Sequence, residues 1–335
     1  MVHLNPYQLS INGKVWDSAY IVGVATKESY RKKGCMRTLL SQSLRDLYEE
    51  HCPMTYLMPA SESIYTPFDF RFIYKKHRMD GYVENIGKKR NEQISITEWE
   101  MEKEPEVVVA WVNEQLLRKY TIFPYRTVDY YQCVTNEMKA CYGNVSVVRK
   151  EGKIKGVILY TREENRLEFI ESILDRKEQK EILHELLLYL QVDNSTVTFY
   201  ESGYLDQEAI CSNMRILSEY EKPMIMGRIV NVESFLSTLR VKERLDLVIG
   251  VKDSILTDNI GNYRLLSKKD ASITVTRTEK KPSVVMDVAD WMTFFVSDEL
   301  ERERILFMNG CTSEKVGSIV HNLGILNQSY INEIV

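Results

Sequence analysis

Several features that mark common protein classes are missing from this 335-residue sequence. It has neither the GxxxxGK[ST] loop that cradles nucleotide phosphates nor the GxGxxG turn of dinucleotide-binding domains, so ATP and NAD are poorly supported as ligands. No apolar run approaches the length of a membrane span. The opening stretch MVHLNPYQLS also lacks the basic and apolar regions of a signal peptide. We therefore expect a cytoplasmic protein without a membrane partner.

Cysteine and histidine are scarce and scattered. The 6 cysteines show no CxxC spacing, which in a chain of this size is typical of reduced thiols rather than of a disulfide framework. The 5 histidines show no metal-ligand spacing. His184 and Glu185 begin an HExxH zinc motif, but Leu188 occupies the second histidine position and excludes it. We expect no metal site.

Charge and length set further bounds on the class of protein. A net charge of −4 gives no reason to expect nucleic acid as a partner. Apolar residues make up 44% and charged residues 27% of the chain, which is ordinary for a globular protein. The length exceeds what one hydrophobic core usually serves, so two or three domains are expected.

Composition and periodicity divide the chain into three parts. The polar stretch ENIGKKRNEQ (84–93) marks a first boundary, and residues 96–222 repeat the strand–strand–strand–helix–strand order of the first part. The pattern changes again at Pro223, and the chain ends in the apolar segment SYINEIV, which predicts a strand. We predict an α/β (α+β) protein with units at 1–90, 91–222 and 223–335.

The stretch YIVGVATKESYRKKGCMRTLL (20–40) combines a short apolar strand, a basic turn and the start of an amphipathic helix. Free amides and the dipole at the start of such a helix favour a phosphate group. Gly34 would let the backbone approach that group closely. The alternative is an exposed basic turn before an ordinary helix, and the local pattern favours neither interpretation.

Three separated motifs resemble one family. VAT-x-x-x-Y-R-x-x-G (24–34) resembles the pyrophosphate-binding signature R-x-x-G-x-G/A of the GNAT superfamily of N-acetyltransferases, with the lead-in of its Eis-like (enhanced intracellular survival) branch. PASESIYTPFDFRF (59–72) resembles the second signature of that branch, and INEIV resembles its C-terminal ending. The resemblance covers nearly the whole chain. It implies a GNAT acetyl-CoA-binding domain, a degenerate second GNAT-like domain and a sterol-carrier-protein-like domain, in the order of the three predicted units.

The resemblance also implies a chemistry with acetyl-CoA as co-substrate. The pyrophosphate would bind the amides of Arg31, Lys32, Lys33, Gly34, Cys35 and Met36, the pantetheine arm would pair with Val24, Ala25 and Thr26, and Ser61 and Glu62 would border the cofactor. Tyr65 would protonate the departing thiolate, and the terminal carboxylate of Val335 would accept the proton of the amine. Glu62 is a second candidate base or a helix cap.

The resemblance further implies a primary-amine acceptor of the aminoglycoside, lysine-side-chain or polyamine class, and a homo-oligomer, a hexamer in relatives. The segment DRKEQKEI (175–182) lacks a second R-x-x-G, so the middle part is expected not to bind CoA. Met1 to Leu4 align with the middle of the third strand of a GNAT domain. The elements before that strand, which wall the acceptor pocket, are therefore expected to be missing.

Several alternatives stay open. The chain can be a catalytically inactive GNAT-like scaffold, and residues 223–335 can bind an apolar ligand. The basic runs 75–78 and 88–90 can contact the 3′-phosphate of CoA, although such runs are more often solvated faces. Cys35 is expected to be a partly buried thiol rather than a nucleophile.

Overall fold

The structure, a computed structural model, describes residues 1–84, 86–87, 90–163, 166–192, 194–200, 204–324 and 326–333. These residues form a mixed α/β protein, as the sequence predicts. No helix in these ranges is long and apolar enough to cross a membrane.

Strands and helices occur along the whole length of the described chain. The strands are β1 (His3–Ile11), β2 (Lys14–Val22), β3 (Met54–Leu57), β4 (Arg71–Val83), β5 (Ile94–Glu98), β6 (Ile122–Pro124), β7 (Gly143–Lys150), β8 (Lys153–Glu163), β9 (Arg166–Leu174), β10 (Ser195–Tyr200), β11 (Arg215–Ile229), β12 (Asp246–Lys252), β13 (Gly261–Ser267), β14 (Ile273–Arg277) and β15 (Val284–Asp287). The helices are α1 (Cys35–Glu49), α2 (Glu62–Tyr65), α3 (Pro105–Leu117), α4 (Val128–Ala140), α5 (Gln179–Tyr189), α6 (Gln207–Cys211), α7 (Val232–Ser237), α8 (Val288–Val296), α9 (Glu299–Met308) and α10 (Ser313–Asn322).

The chain divides into two compact units. The first contains residues 1–74, 120–125 and 223–335, and the second contains residues 75–119 and 126–222. The division into three domains stays a prediction.

The first unit contains a sheet in the order β6-β1-β2-β3-β11. β1 and β2 form a hairpin, and its turn residues Asn12 and Gly13 both have positive φ, as a two-residue hairpin turn requires. β2 and β3 pair in parallel through α1. The apolar side chains of α1 recur every three to four residues, so Leu40, Leu44 and Leu47 share one face and are buried against the sheet.

The same unit contains a second sheet, β14-β13-β12-β15, covered by helices with a core rich in aromatic side chains. The indole of Trp291 donates to the carbonyl of Gly250 at 3.1 Å and stacks on Phe295. A cavity between this sheet and its helices has a volume of about 10 Å³, which is room for about one water molecule. This cavity has no space for a lipid chain.

The final segment differs from its prediction as a strand. Between residues 326 and 333 the structure has a single β-bridge, from Ser329 to Ile122, and no strand. The amide of Tyr330 donates to the carbonyl of Ile122 at 2.8 Å, and the carbonyl of Gln328 accepts from the amide of Thr121 at 2.7 Å. The apolar residues of this tail are therefore buried beside β6 without forming a ladder.

The second unit contains the strands β5-β7-β8-β9-β10-β4 in that order, with α5 linking the parallel strands β9 and β10. The turn before α5 carries Glu178, which forms ion pairs with Lys150 at 2.8 Å and Lys155 at 2.5 Å. The side chain of Gln179 accepts from the amide of Asp206 at 2.6 Å. The turn before α5 therefore carries a carboxylate that is paired with two lysines, and the expectation that this part does not bind CoA stays a prediction.

Candidate functional site

The basic turn lies directly before α1. Gly34 is the N-cap residue of the helix and has φ 80°, ψ −5°, a left-handed conformation that favours glycine. No side chain caps the helix, so the first amides of α1 point outward. Arg31, Lys32 and Lys33 are exposed, and none of the ion pairs found among the described residues involves them. The turn therefore presents free amides and positive charge to a common region.

The strand that leads into this turn separates from its neighbour. The parallel pairing of β2 and β3 ends at Ile21 and Leu57, and Gly23 then has φ 59°. The amide and carbonyl of Ala25 both pair with Met1, at 3.0 and 2.8 Å. Successive residues of an extended chain direct their main-chain groups to opposite sides. A ligand that pairs with this edge would therefore bind Val24 and Thr26 rather than Ala25.

Thr26 and Arg31 also fix the shape of the turn. The Arg31 side chain donates through Nε to the carbonyl of Thr26 at 3.3 Å. Cys35 and Met36, the first two residues of α1, are half-buried. The predicted residues 24–36 thus form one continuous surface from the end of β2 to the first turn of α1.

The second predicted motif forms the short helix α2 and the turn after it. Ser61 is the N-cap residue, its hydroxyl lies 3.0 Å from that of Ser63, and Glu62 is exposed at the first helical position. The helix ends at Tyr65, which has 6% of its surface exposed. The rings of Tyr65 and Phe70 pack edge-to-face with their centroids 6.1 Å apart. Burial raises the pKa of the Tyr65 phenol, which keeps it protonated and able to donate.

A buried arginine holds the turn after Tyr65. Arg228 on β11 is 0% exposed and donates to the carbonyl of Phe68 at 2.9 Å and to the carboxylate of Asp253 at 2.6 Å. Asp69 has φ 65° and accepts from the Ser254 hydroxyl at 3.0 Å. Burial raises the pKa of the Asp69 carboxyl, although the nearby guanidinium of Arg228 opposes this shift. Residues 228–254 therefore set the conformation of the Tyr65 turn.

The C-terminal tail reaches the other face of the first sheet. Glu333 is 4% exposed, and its carboxylate accepts from the Tyr7 hydroxyl at 3.2 Å. The Tyr20 hydroxyl donates to the carbonyl of Glu333 at 3.4 Å. Val335, the predicted base, and Ile334 lie outside the described residues.

The basic runs give little support to a phosphate contact. Lys75 pairs with Glu221 at 3.8 Å and Arg78 with Asp80 at 3.1 Å, so their charges are compensated within the second unit. Lys88 and Lys89 lie outside the described residues. Among the parts of the chain that are described, no group of three or more histidine, cysteine or acidic side chains is placed to hold a metal ion.

Sequence reasoning missed several residues of this region. The guanidinium of Arg37, in the first turn of α1, lies 4.9 Å from the centre of the Phe68 ring and links the basic turn to the Tyr65 segment. Arg37 follows directly after the quoted signature, so its position in the first helical turn was a usable signal. Tyr7, Tyr20 and Glu333 gave no such signal, because they come together only in the folded chain.

Comparisons with known proteins agree with this geometry. Residues 1–73 match the family model described as an acetyltransferase (GNAT) domain. No curated protein matches the sequence.

Three solved structures are similar over the whole fold. A GCN5-related N-acetyltransferase from Anabaena variabilis has a TM-score of 0.81 at 16% identity, covering 100% of this chain and 86% of its own. A probable N-acyltransferase from Enterococcus faecalis has a TM-score of 0.80 at 17% identity, and the match covers 97% of this chain and 83% of that protein. Eis1 from Mycobacterium abscessus has a TM-score of 0.73 at 15% identity, and the match covers 100% of this chain and 87% of Eis1. The chain has the fold of GNAT acetyltransferases.

Proposed function

We propose that this protein is an acetyl-CoA-dependent N-acetyltransferase that acts on a primary amine of the aminoglycoside, lysine-side-chain or polyamine class. One observation carries the proposal. Uncapped amides and uncompensated cations at residues 31–36 lie directly beside the point where β2 and β3 separate, within the stretch that matches a GNAT domain. We further propose a sterol-carrier-like C-terminal part, a cytoplasmic location and a homo-oligomeric assembly, all by family resemblance.

The proposed reaction is direct transfer. The pyrophosphate binds the amides from Arg31 to Met36, and the pantetheine arm pairs with Val24 and Thr26. The amine nitrogen attacks the thioester carbonyl, a C–N bond forms and the C–S bond breaks. The CoA thiolate takes the phenolic proton of Tyr65, and the new ammonium gives its proton to the terminal carboxylate of Val335. An α-carboxyl has a pKa of about 3.5. The carboxylate of Val335 can therefore act as a base only if burial raises its pKa.

The described end of the tail is compatible with a buried base. Tyr330, Ile331 and Glu333 are 1%, 0% and 4% exposed, and the terminal residue follows Glu333 by two positions in the sequence. Glu62, the second candidate base, is exposed at the start of α2.

The second candidate function is a non-catalytic scaffold. Calorimetric titration with acetyl-CoA separates the two functions. A transferase is expected to bind acetyl-CoA at micromolar concentration and to release CoA when an amine acceptor is added. Absence of acetyl-CoA binding would contradict the transferase proposal and favour the scaffold.

A Gly34→Ala substitution tests the turn itself. The added Cβ has no neighbour within 4 Å, so its only cost is the left-handed backbone conformation at φ 80°. We expect the free energy of unfolding to fall by about 1 kcal/mol. The helix amides should also move, weakening acetyl-CoA binding by roughly 10-fold, or about 1.4 kcal/mol. Urea unfolding and calorimetry measure the two effects.

Gly317 supplies the matched control. It lies within α10 without a positive φ, and a Cβ there also meets nothing within 4 Å. Gly317→Ala should therefore be neutral or stabilising by up to about 1 kcal/mol, with unchanged acetyl-CoA binding. Wild-type affinity in Gly34→Ala would show that the pyrophosphate does not bind at this turn.

A further inference from the structure

Three arginine side chains are buried in the described parts of the chain, and they differ in how their charge is balanced. Arg126 pairs with the carboxylate of Glu171 at 2.8 Å. Arg228 pairs with the carboxylate of Asp253 at 2.6 Å. Arg302 on α9 is 3% exposed but forms no ion pair with any described residue. A buried charge without a counter-charge is costly. Arg302 therefore keeps an unbalanced positive charge inside the fold.

The guanidinium of Arg302 also uses few of its hydrogen-bond donors. A guanidinium has five N–H donors, and buried ones normally find acceptors. Nη2 donates to the carbonyl of Leu323 at 2.9 Å, whereas Nε is buried without a partner among the described residues. Nη1 has no hydrogen-bond partner there either, yet it is not fully buried. The side chain therefore offers unused donors at a point that an ion from solvent can reach.

The surroundings of Arg302 favour a planar ligand with a single negative charge. Helix α9 packs against α8 and α10, and the guanidinium lies 4.4 Å from the centre of the Phe294 ring on α8. Burial lowers the pKa of Arg302 to about 10, although the charge of Glu299 opposes this shift, so the group stays protonated at neutral pH. A carboxylate accepts two parallel N–H bonds from a guanidinium and carries one charge. A phosphate dianion would leave one negative charge unbalanced in a buried place.

We propose that Arg302 binds the carboxylate of a small organic acid where α8, α9 and α10 meet. The carboxylate oxygens accept from the unused N–H groups of the guanidinium, while Nη2 keeps its bond to the carbonyl of Leu323. The acid is small, because only 3% of the arginine surface is exposed. This site is independent of the proposed transferase activity, and its ligand differs from both acetyl-CoA and the amine acceptor.

Thermal unfolding of the full chain tests the site in wild type and in Arg302→Met, with sodium chloride, sodium acetate or sodium phosphate at equal ionic strength. In chloride, Arg302→Met should be at least as stable as wild type, because an apolar side chain replaces a buried unpaired charge. Near saturation with acetate, wild type should gain roughly 5 °C in Tm relative to the variant. General salt effects are common to both proteins and cancel in this difference.

Two outcomes of this comparison would contradict the inference. If the Tm difference between wild type and Arg302→Met is the same in chloride and in acetate, Arg302 is only a structural donor to Leu323. If phosphate changes the Tm difference as much as acetate does, the assignment to a carboxylate is wrong. Arg304→Met is the matched control, because Arg304 lies on the same helix, is 60% exposed and pairs with Glu301. This control should respond to acetate as wild type does.

A lysine variant keeps the test decisive if Arg302→Met does not fold, as judged by circular dichroism. Arg302→Lys retains the charge but loses the planar pair of donors that matches a carboxylate. The acetate concentration that gives half of the Tm rise should therefore increase roughly 10-fold in Arg302→Lys. Equal half-effect concentrations in wild type and Arg302→Lys, or no rise above that in chloride for either protein, would overturn the inference.

Discussion

Replacement of Tyr65 by phenylalanine should lower kcat by roughly 10²- to 10⁴-fold, the usual contribution of a positioned general acid. The thiolate then has to leave without its proton donor, whereas acetyl-CoA binding at residues 24–36 is untouched. Phenylalanine keeps the ring that packs against Phe70, so the fold should be unaffected. Release of CoA, followed with a thiol reagent alongside calorimetric binding of acetyl-CoA, measures both quantities.

Tyr142 provides the matched control for this substitution. It is 82% exposed in the second unit, so Tyr142→Phe should have wild-type kcat. The pH profile adds a second check. Burial raises the pKa of Tyr65 above the ordinary tyrosine value of about 10. Activity should therefore be lost through ionisation of Tyr65 only above about pH 10. A Tyr65→Phe enzyme with wild-type kcat would exclude the phenol as the acid.

Replacement of Arg228 by methionine should reduce the free energy of unfolding by about 3–5 kcal/mol, because it leaves the buried carboxylate of Asp253 without its cation. Both side chains are 0% exposed. The carbonyls of Phe68 and Ile229 would also lose their donor. Urea unfolding measures the loss. The Tyr65 turn should loosen with it, so activity should fall even under conditions where the variant is folded.

A double substitution tests whether the buried charge is the cause. Asp253→Asn removes the charge and keeps an oxygen that can accept from the amides of Ile255 and Leu256, which now donate at 2.9 Å. In the Arg228→Met background it should recover part of the lost stability. A double variant no more stable than Arg228→Met would show that lost packing, and not the unpaired charge, dominates.

The sequence predicted the local parts of the site well. The basic turn and the amphipathic segment after it indicated α1. The Asn12-Gly13 pair is a hairpin signal, and it connects β1 to β2. These features depend on neighbouring residues, so periodicity and turn chemistry are sufficient to find them.

Long-range pairings were beyond the same reasoning. Arg228 and Asp253 look like surface charges until β11 brings them under the turn at Phe68. The main chain of Ala25 is bonded to Met1, a contact that no local motif indicates. The tail at 326–333 has the composition of a strand, but its main-chain bonds to β6 are too few for a ladder.

Helix α9 has a local signal in the sequence at its N-terminus. Asp298 caps the helix by accepting from the amide of Glu301 at 3.0 Å. The D-x-x-E spacing is a capping signature. The charged run that follows, ELERER, hid the amphipathic pattern. The capping signature was therefore a better guide than periodicity at this position.

The discontinuous make-up of the first unit has a consequence for biosynthesis. Strands β1 to β3 leave the ribosome early, but β11 with its Arg228 and the buried tail, which complete their surroundings, are made only from residue 215 onwards. At about 5–20 residues per second, roughly 10–50 s separate the synthesis of residue 74 from that of residue 333. During that interval the nascent chain exposes the edge of β3 and the faces of Tyr20 and Tyr56. The protein should therefore depend on chaperones during translation more than its finished core suggests.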